Sequence, residues 1–132
     1  MIGRTAVVAL ALLGGGITVA ASDAGGPPYK VNGNKVDGAT FKGWKAWRAL
    51  ACDRCHGKDQ EGEGVAGPSL NEGLKRIDRE EFKKAVLVGR IEKGMPNFDG
   101  SKLAVDNIDG LYGYLKGRSD GAIPGGRLEE LP

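Results

Sequence analysis

The sequence predicts an all-α domain of three to five short helices joined by glycine-rich loops. Three observations carry that prediction. Apolar residues recur at helical spacing in three segments, each preceded by a residue suited to start a helix. No alternating polar–apolar run is long enough for a sheet. The chain also holds 23 glycines and few aromatics, with glycine at more than twice its ordinary share of about 7%. The polypeptide alone therefore offers only a small core.

The opening of the 132-residue chain stands apart from these elements. Arg4 and the amino terminus make a short positive region, and an uncharged run from Thr5 to Ala20 follows it, with small residues after. This is the pattern of a secretory signal peptide, cut after Ala20, Ala21 or Ser22. The run is shorter than the roughly 20 residues of a membrane span, and Gly14-Gly15-Gly16 weakens it further. Residues 1–21 are thus expected to be removed, leaving a soluble periplasmic domain with no membrane span. Residues 22–39 form an N-terminal extension ahead of the first helix.

That helix is predicted in "ATFKGWKAWRALACDRCHG", where Phe41, Trp44, Trp47 or Arg48, and Ala51 share a stripe. Thr40 is placed to cap it and Gly57 to end it. "DREEFKKAVLVGR" opens with Asp78 and has Glu81 three residues on, a capping box. Phe82, Ala85, and Val86 or Gly89 lie behind it on one face. In "DNIDGLYGYLKGR", Asp106 and Asp109 stand in the same relation, Ile108, Leu111, Tyr112 and Leu115 recur at helical spacing, and Gly117 closes the segment. The loops "GEGVAGPSL" and "GMPNFDGSKL" lie between, followed at the end by a tail over residues 118–132.

Charge excludes one class of partner. There are 19 basic and 17 acidic residues. Removing Arg4 leaves 18 against 17, with both signs mixed in stretches such as "REEFKK". A nucleic-acid binder would want a concentrated basic face instead.

The chemistry is concentrated in "LACDRCHGKD", which holds both cysteines, Cys52 and Cys55, and the single histidine, His56. A disulfide between Cys52 and Cys55 would close a tiny loop and constrain the unfolded chain little. A thioredoxin-like redox pair lies near a βαβ pattern, and no strand runs surround this one. A structural zinc site needs four ligands, and only three candidates exist. C-x-x-C-H is also the signature of c-type haem attachment. On a helix, positions i, i+3 and i+4 share a face, so two thioethers and one imidazole can meet one edge of a flat macrocycle. Haem attachment through Cys52 and Cys55, with His56 toward the iron, is the reading that fits. One buried haem c would also complete the small core.

A haem iron with one histidine has a second axial position to fill. With no other histidine in the chain, the methionines are Met1, which leaves with the signal peptide, and Met95. Met95 lies between Gly94 and Pro96. Glycine lets the chain turn, and proline biases the residue before it toward extended backbone. Met95 is therefore either the second axial ligand or a gap-filling core methionine. "DNIDG" is a weak calcium signal and reads better as a helix start.

"CDRCH", "AGPSL" (Ala66 to Leu70), "GMP" (Gly94 to Pro96) and "GLYGYLK" occur in the order they take in the class I c-type cytochromes. The chain resembles that family over residues 40–117. The resemblance implies the cytochrome c fold, one haem, thioethers at Cys52 and Cys55, and axial ligands His56 and Met95. It also implies that the Pro68 carbonyl orients His56; Pro68 as an ordinary turn residue is the alternative. An aromatic contact between the first and last helices, Phe41 or Trp44 against Tyr112, is implied as well. From Tyr29 to Arg127, "YKVNGNKVDGATFKGWKAW", "LVGR" and "LYGYLKGRSDGAIPGGR" are similar to the periplasmic cytochromes serving quinoprotein alcohol and methanol dehydrogenases.

The function so implied is electron transfer, not enzymatic catalysis. Histidine and methionine together raise the potential and leave no open site on the iron. The expected role is a monomeric one-electron carrier, reduced by a quinoprotein dehydrogenase and oxidised by an oxidase or another cytochrome. A haem subunit of a larger dehydrogenase complex, or a ligand-binding sensor, is the alternative.

Overall fold

A computed structural model of the chain describes residues 25–62 and 66–132. The predicted signal segment, residues 1–21, lies outside them. The described residues form α1 (Gly38–Ala49), α2 (Asp53–His56), α3 (Leu70–Gly73), α4 (Arg79–Leu87), α5 (Lys102–Asp106) and α6 (Ile108–Ser119). A single 3-10 turn spans Ile91–Lys93. Among the described residues, no helix is long and apolar enough to cross a membrane.

The first predicted helix divides in two. α1 starts one turn earlier than expected, because Asp37 and not Thr40 caps it: the Asp37 carboxylate accepts from the Thr40 N–H at 3.0 Å and from the Thr40 hydroxyl at 2.8 Å. The chain then breaks at Ala51, whose φ of 55° is left-handed. For a residue with a Cβ that conformation costs roughly 1–2 kcal/mol. The break separates the long core-facing helix from the single turn that carries the cysteines and histidine. Gly57, at φ 85°, ends that turn.

The later helices follow their caps. Asp78 accepts from the Glu81 N–H at 2.8 Å and starts α4. Asp106 ends α5 instead of starting α6, and α6 continues past Gly117 to Ser119. α3 and α5, capped by Ser69 and Ser101, have four and five residues, too few to show a period.

α1 packs across α6 at two glycines. A Cβ on Gly43 would overlap the backbone of Gly110 and Leu111, and one on Gly110 would overlap the Ala39 carbonyl. With backbones in contact there, the rings pair to either side. Tyr112 packs on Phe82 of α4 with centroids 5.3 Å apart, and Trp47 packs on Tyr114 at 6.3 Å. Phe41 and Trp44, implied as partners of Tyr112, form a ring pair with each other at 5.5 Å.

A small sheet flanks the helices, where the alternation was too short to announce one. β1 (Val31–Asn32) pairs antiparallel with β2 (Lys35–Val36), and β2 pairs parallel with β3 (Glu129–Glu130). Gly33 takes the left-handed conformation that the two-residue hairpin loop needs. Segments near both ends of the described residues thereby join the core. Val36, Ile123 and Leu128 are essentially inaccessible, and the Tyr29 hydroxyl donates to Asp120 across 2.9 Å.

Candidate functional site

The site is built on the turn that follows the Ala51 break. Cys52 stands at the N-cap position of α2, with no capping bond from its side chain, and is half-buried, whereas Cys55 is exposed, and the two thiols are free. Burial, with the nearby Asp53 carboxylate adding to it, pushes the Cys52 thiol up to about 11. His56 is only 8% exposed. Its ring lies 6.4 Å from that of Trp47, centroid to centroid.

The Nδ1 atom of His56 is 2.9 Å from the carbonyl oxygen of Pro68. A carbonyl can only accept, so Nδ1 carries the proton and donates it. With Nδ1 as the donor, Nε2 is the ring nitrogen whose lone pair can serve a metal. The same bond fixes the ring's orientation and raises its basicity. It forms because the segment after the loop comes very close: the Gly67 N–H donates to the Cys55 carbonyl at 2.6 Å. A Cβ on Gly67 would lie 2.7 Å from that carbonyl and 2.8 Å from Nδ1. Only glycine fits there without moving something.

Met95 is half-buried and packs against the main hydrophobic cluster. Its loop is shaped by two glycines with left-handed backbone, Gly89 at φ 76° and Gly94 at φ 83°. Gly89 is also the point where the loop closes on itself, since a Cβ there would lie 2.7 Å from the Asn97 nitrogen. Arg90 and Met95 exchange backbone hydrogen bonds of 3.0 and 3.1 Å, which pins the methionine's own residue. The Phe98 N–H ties the returning segment to α4 by donating to the Val86 carbonyl at 3.1 Å.

The residues present fit a covalently held haem: two free thiols in C-x-x-C-H spacing, and a histidine whose tautomer leaves Nε2 available. Among the described residues, no group of three or more His, Cys, Asp or Glu side chains is arranged to hold a bare metal ion.

Comparison with known proteins identifies the family. The family model described as cytochrome c oxidase, cbb3-type, subunit III matches residues 38–115. Cytochrome c-555 of Methylococcus capsulatus (strain Bath) is 44% identical over 95 residues, covering 72% of this chain and 75% of that protein. This chain belongs to the c-type cytochromes. Cytochrome c-553I of Paracoccus denitrificans is 34% identical over 108 residues, covering 76% of this cytochrome but 47% of that protein. Among solved structures, the c-type cytochrome XoxG from Methylobacterium extorquens AM1 matches with a TM-score of 0.69 and 33% identity, over 77% of this chain and 65% of that one. This cytochrome thus spans about half of the Paracoccus protein and under two thirds of XoxG.

Membership in the family brings covalently bound haem c and an electron-carrying role. A single C-x-x-C-H motif limits this cytochrome to one haem.

Several residues that shape the site gave no local signal. Gly67 and Gly62 are indistinguishable by sequence from other loop glycines. Yet a Cβ on Gly62 would overlap the Ser69 nitrogen, and its N–H donates to the His56 carbonyl at 2.9 Å. Gln60 is fully buried with a left-handed φ of 61°. Arg118 reaches it from α6, with Nε donating to Gln60 Oε1 at 2.8 Å. An inward-facing glutamine in a run of charged residues has no sequence signature.

Proposed function

We propose that this cytochrome is a periplasmic one-electron carrier whose haem iron is bound by His56 and Met95. It takes electrons from a quinoprotein alcohol dehydrogenase, of which methanol dehydrogenase is the leading case, and passes them to an oxidase or another cytochrome. The observation that carries the reading is the Nδ1–H donated by His56 to Pro68 at 2.9 Å. It fixes the ring and leaves Nε2 as the nitrogen that faces a metal. Cys52 and Cys55 hold the group, and Met95 is the remaining soft donor on a well-defined loop.

The haem supplies a single iron that changes charge by one. The protein's part is to hold its surroundings nearly the same in both states. A histidine pinned through its second nitrogen and a methionine pinned through its backbone both serve that end. Methionine as second ligand also raises the potential relative to a harder donor. The choice of donor protein rests on the similarity of the flanking segments, Tyr29 to Arg127, to cytochromes that serve quinoprotein dehydrogenases, and on the match to XoxG.

The description of the matching family model, an oxidase subunit, favours one second reading: a haem subunit fixed within a larger complex. Sedimentation of the native cytochrome distinguishes the two, since a free carrier sediments alone.

Ligation is tested by spectra and potential of the wild type beside Met95→Ala. Loss of the methionine–iron charge-transfer band and a large fall in potential are expected. Unchanged spectra, or ready carbon monoxide binding by the wild type, would refute the ligation. Donor identity is tested separately, by reduction with purified quinoprotein alcohol dehydrogenases.

A further inference from the structure

We propose that Gln60 is a positioning residue for His56, clamping the segment that carries the Pro68 carbonyl to α6. The inference rests on His56 being the haem ligand, as proposed above.

Three observations support it. First, Gln60 is fully buried and holds a left-handed backbone that a residue with a Cβ adopts at a cost. Strain of this kind persists only where surrounding contacts over-determine it. Second, both ends of its side chain are engaged by α6. Nε2 donates to the Tyr114 hydroxyl at 3.1 Å, and Oε1 accepts from Arg118 Nε at 2.8 Å. Arg118 is itself held, with Nη1 donating to the Ile123 carbonyl at 2.9 Å. Third, the main chain of Gln60 closes the base of the loop. Its carbonyl accepts from the Leu70 N–H at 2.8 Å, two residues beyond Pro68.

These contacts form a continuous chain from α6 to the imidazole. α6 holds the Gln60 amide, Gln60 holds Leu70, and Pro68 is thereby kept where its carbonyl meets His56 Nδ1. The Tyr114 ring also packs on Trp47, which packs on His56. The strained backbone is what turns the Gln60 side chain inward while its carbonyl faces Leu70. A glycine would take this backbone freely but would have no amide to offer α6.

The test compares holoprotein variants Gln60→Gly, Gln60→Asn and Gln60→Glu. The glycine variant relieves the strain and removes the clamp. The asparagine variant tolerates left-handed backbone but is one methylene too short to reach both partners. The glutamate variant keeps the length, accepting from Arg118 with one oxygen and from the Tyr114 hydroxyl with the other. The readouts are solvent exchange of the His56 Nδ1 proton in the reduced protein, followed by NMR, and the midpoint potential.

The glycine and asparagine variants should exchange that proton about fivefold faster, the equivalent of one net hydrogen bond. Their potentials should rise, because a less basic imidazole stabilises ferric iron less. The glutamate variant should stay close to wild type in both. Wild-type exchange and potential in the glycine or asparagine variant would overturn the proposal, as would a glutamate variant as impaired as glycine. If the glycine variant does not fold, the asparagine–glutamate pair decides alone. Hyperfine-shifted His56 ring signals in the oxidised wild type report ligation independently. Their absence would refute the ligand assignment before any Gln60 variant is read.

Discussion

Gly67→Ala should damage the histidine's support without touching any ligand. Gly67 is not among the residues with left-handed backbone, so alanine brings volume and no backbone strain. Its Cβ would lie 2.7 Å from the Cys55 carbonyl oxygen and 2.8 Å from His56 Nδ1, where ordinary contact begins at 3.4 Å. The shortfall is about 0.7 Å, and it has to be met by moving residues 66–68 away from α2. The same shift lengthens the His56–Pro68 bond from 2.9 Å to about 3.6 Å, a separation at which a hydrogen bond no longer exists. The Gly67–Cys55 bond is lost with it. Two net hydrogen bonds are worth about 2 kcal/mol together. For a domain of this size that corresponds to a fall in Tm of roughly 8–16 °C. Thermal unfolding of the holoprotein, followed at the haem absorption band, measures it, and the midpoint potential should rise in parallel. A Tm within a degree or two of wild type, with an unchanged potential, would refute the close-approach reasoning.

Gly43→Ala tests the crossing of α1 and α6: its Cβ meets backbone, which no rotamer change can relieve, so destabilisation of about 3 kcal/mol is expected, the upper part of the overpacking range. Denaturant titration of the holoprotein checks it. Leu128→Ala empties a site that is 1% exposed and should cost roughly 2–5 kcal/mol; an unchanged denaturation midpoint would mean that the C-terminal tail is not part of the cooperative unit. Tyr29 governs the alkaline side. Burial, with the hydrogen bond to Asp120 and its charge adding, raises its hydroxyl from 10.0 to about 12. The folded state therefore holds this proton more tightly than the unfolded one. That stability is complete below pH 10 and lost as pH rises through about 12. Tyr29→Phe, which cannot titrate, should flatten the decline, and parallel stability curves for variant and wild type over that range would contradict it.

The chemistry of the site was legible because its residues are scarce. With two cysteines, one histidine and one methionine beyond the first residue, counting alone brought Cys52, Cys55, His56 and Met95 forward. Helical periodicity likewise announced α1, α4 and α6, whose apolar stripes are long enough to repeat. Asp78 was readable as a cap because a cap and the N–H that donates to it lie within one turn. The N-terminal hairpin was less visible: its Gly33-Asn34 loop is a hairpin signal, but two-residue strands cannot show alternation.

Tertiary structure decided what depends on residues far apart in the chain. Nothing local distinguishes Gly67, pressed against the histidine, from Gly100, beside which a Cβ would meet nothing within 4 Å. The left-handed break at Ala51 is imposed by the need to turn α2 away from α1, against the preference of alanine itself. Gln60 and Arg118 meet across 58 positions of sequence, and no periodicity records such a pair. Composition and spacing thus determined which groups this cytochrome has available. The family resemblance pointed to Pro68 as the partner of the single imidazole, but the bond itself and the close approach of Gly67 beside it came only from the tertiary structure, because both are set by contacts the chain makes after it has folded.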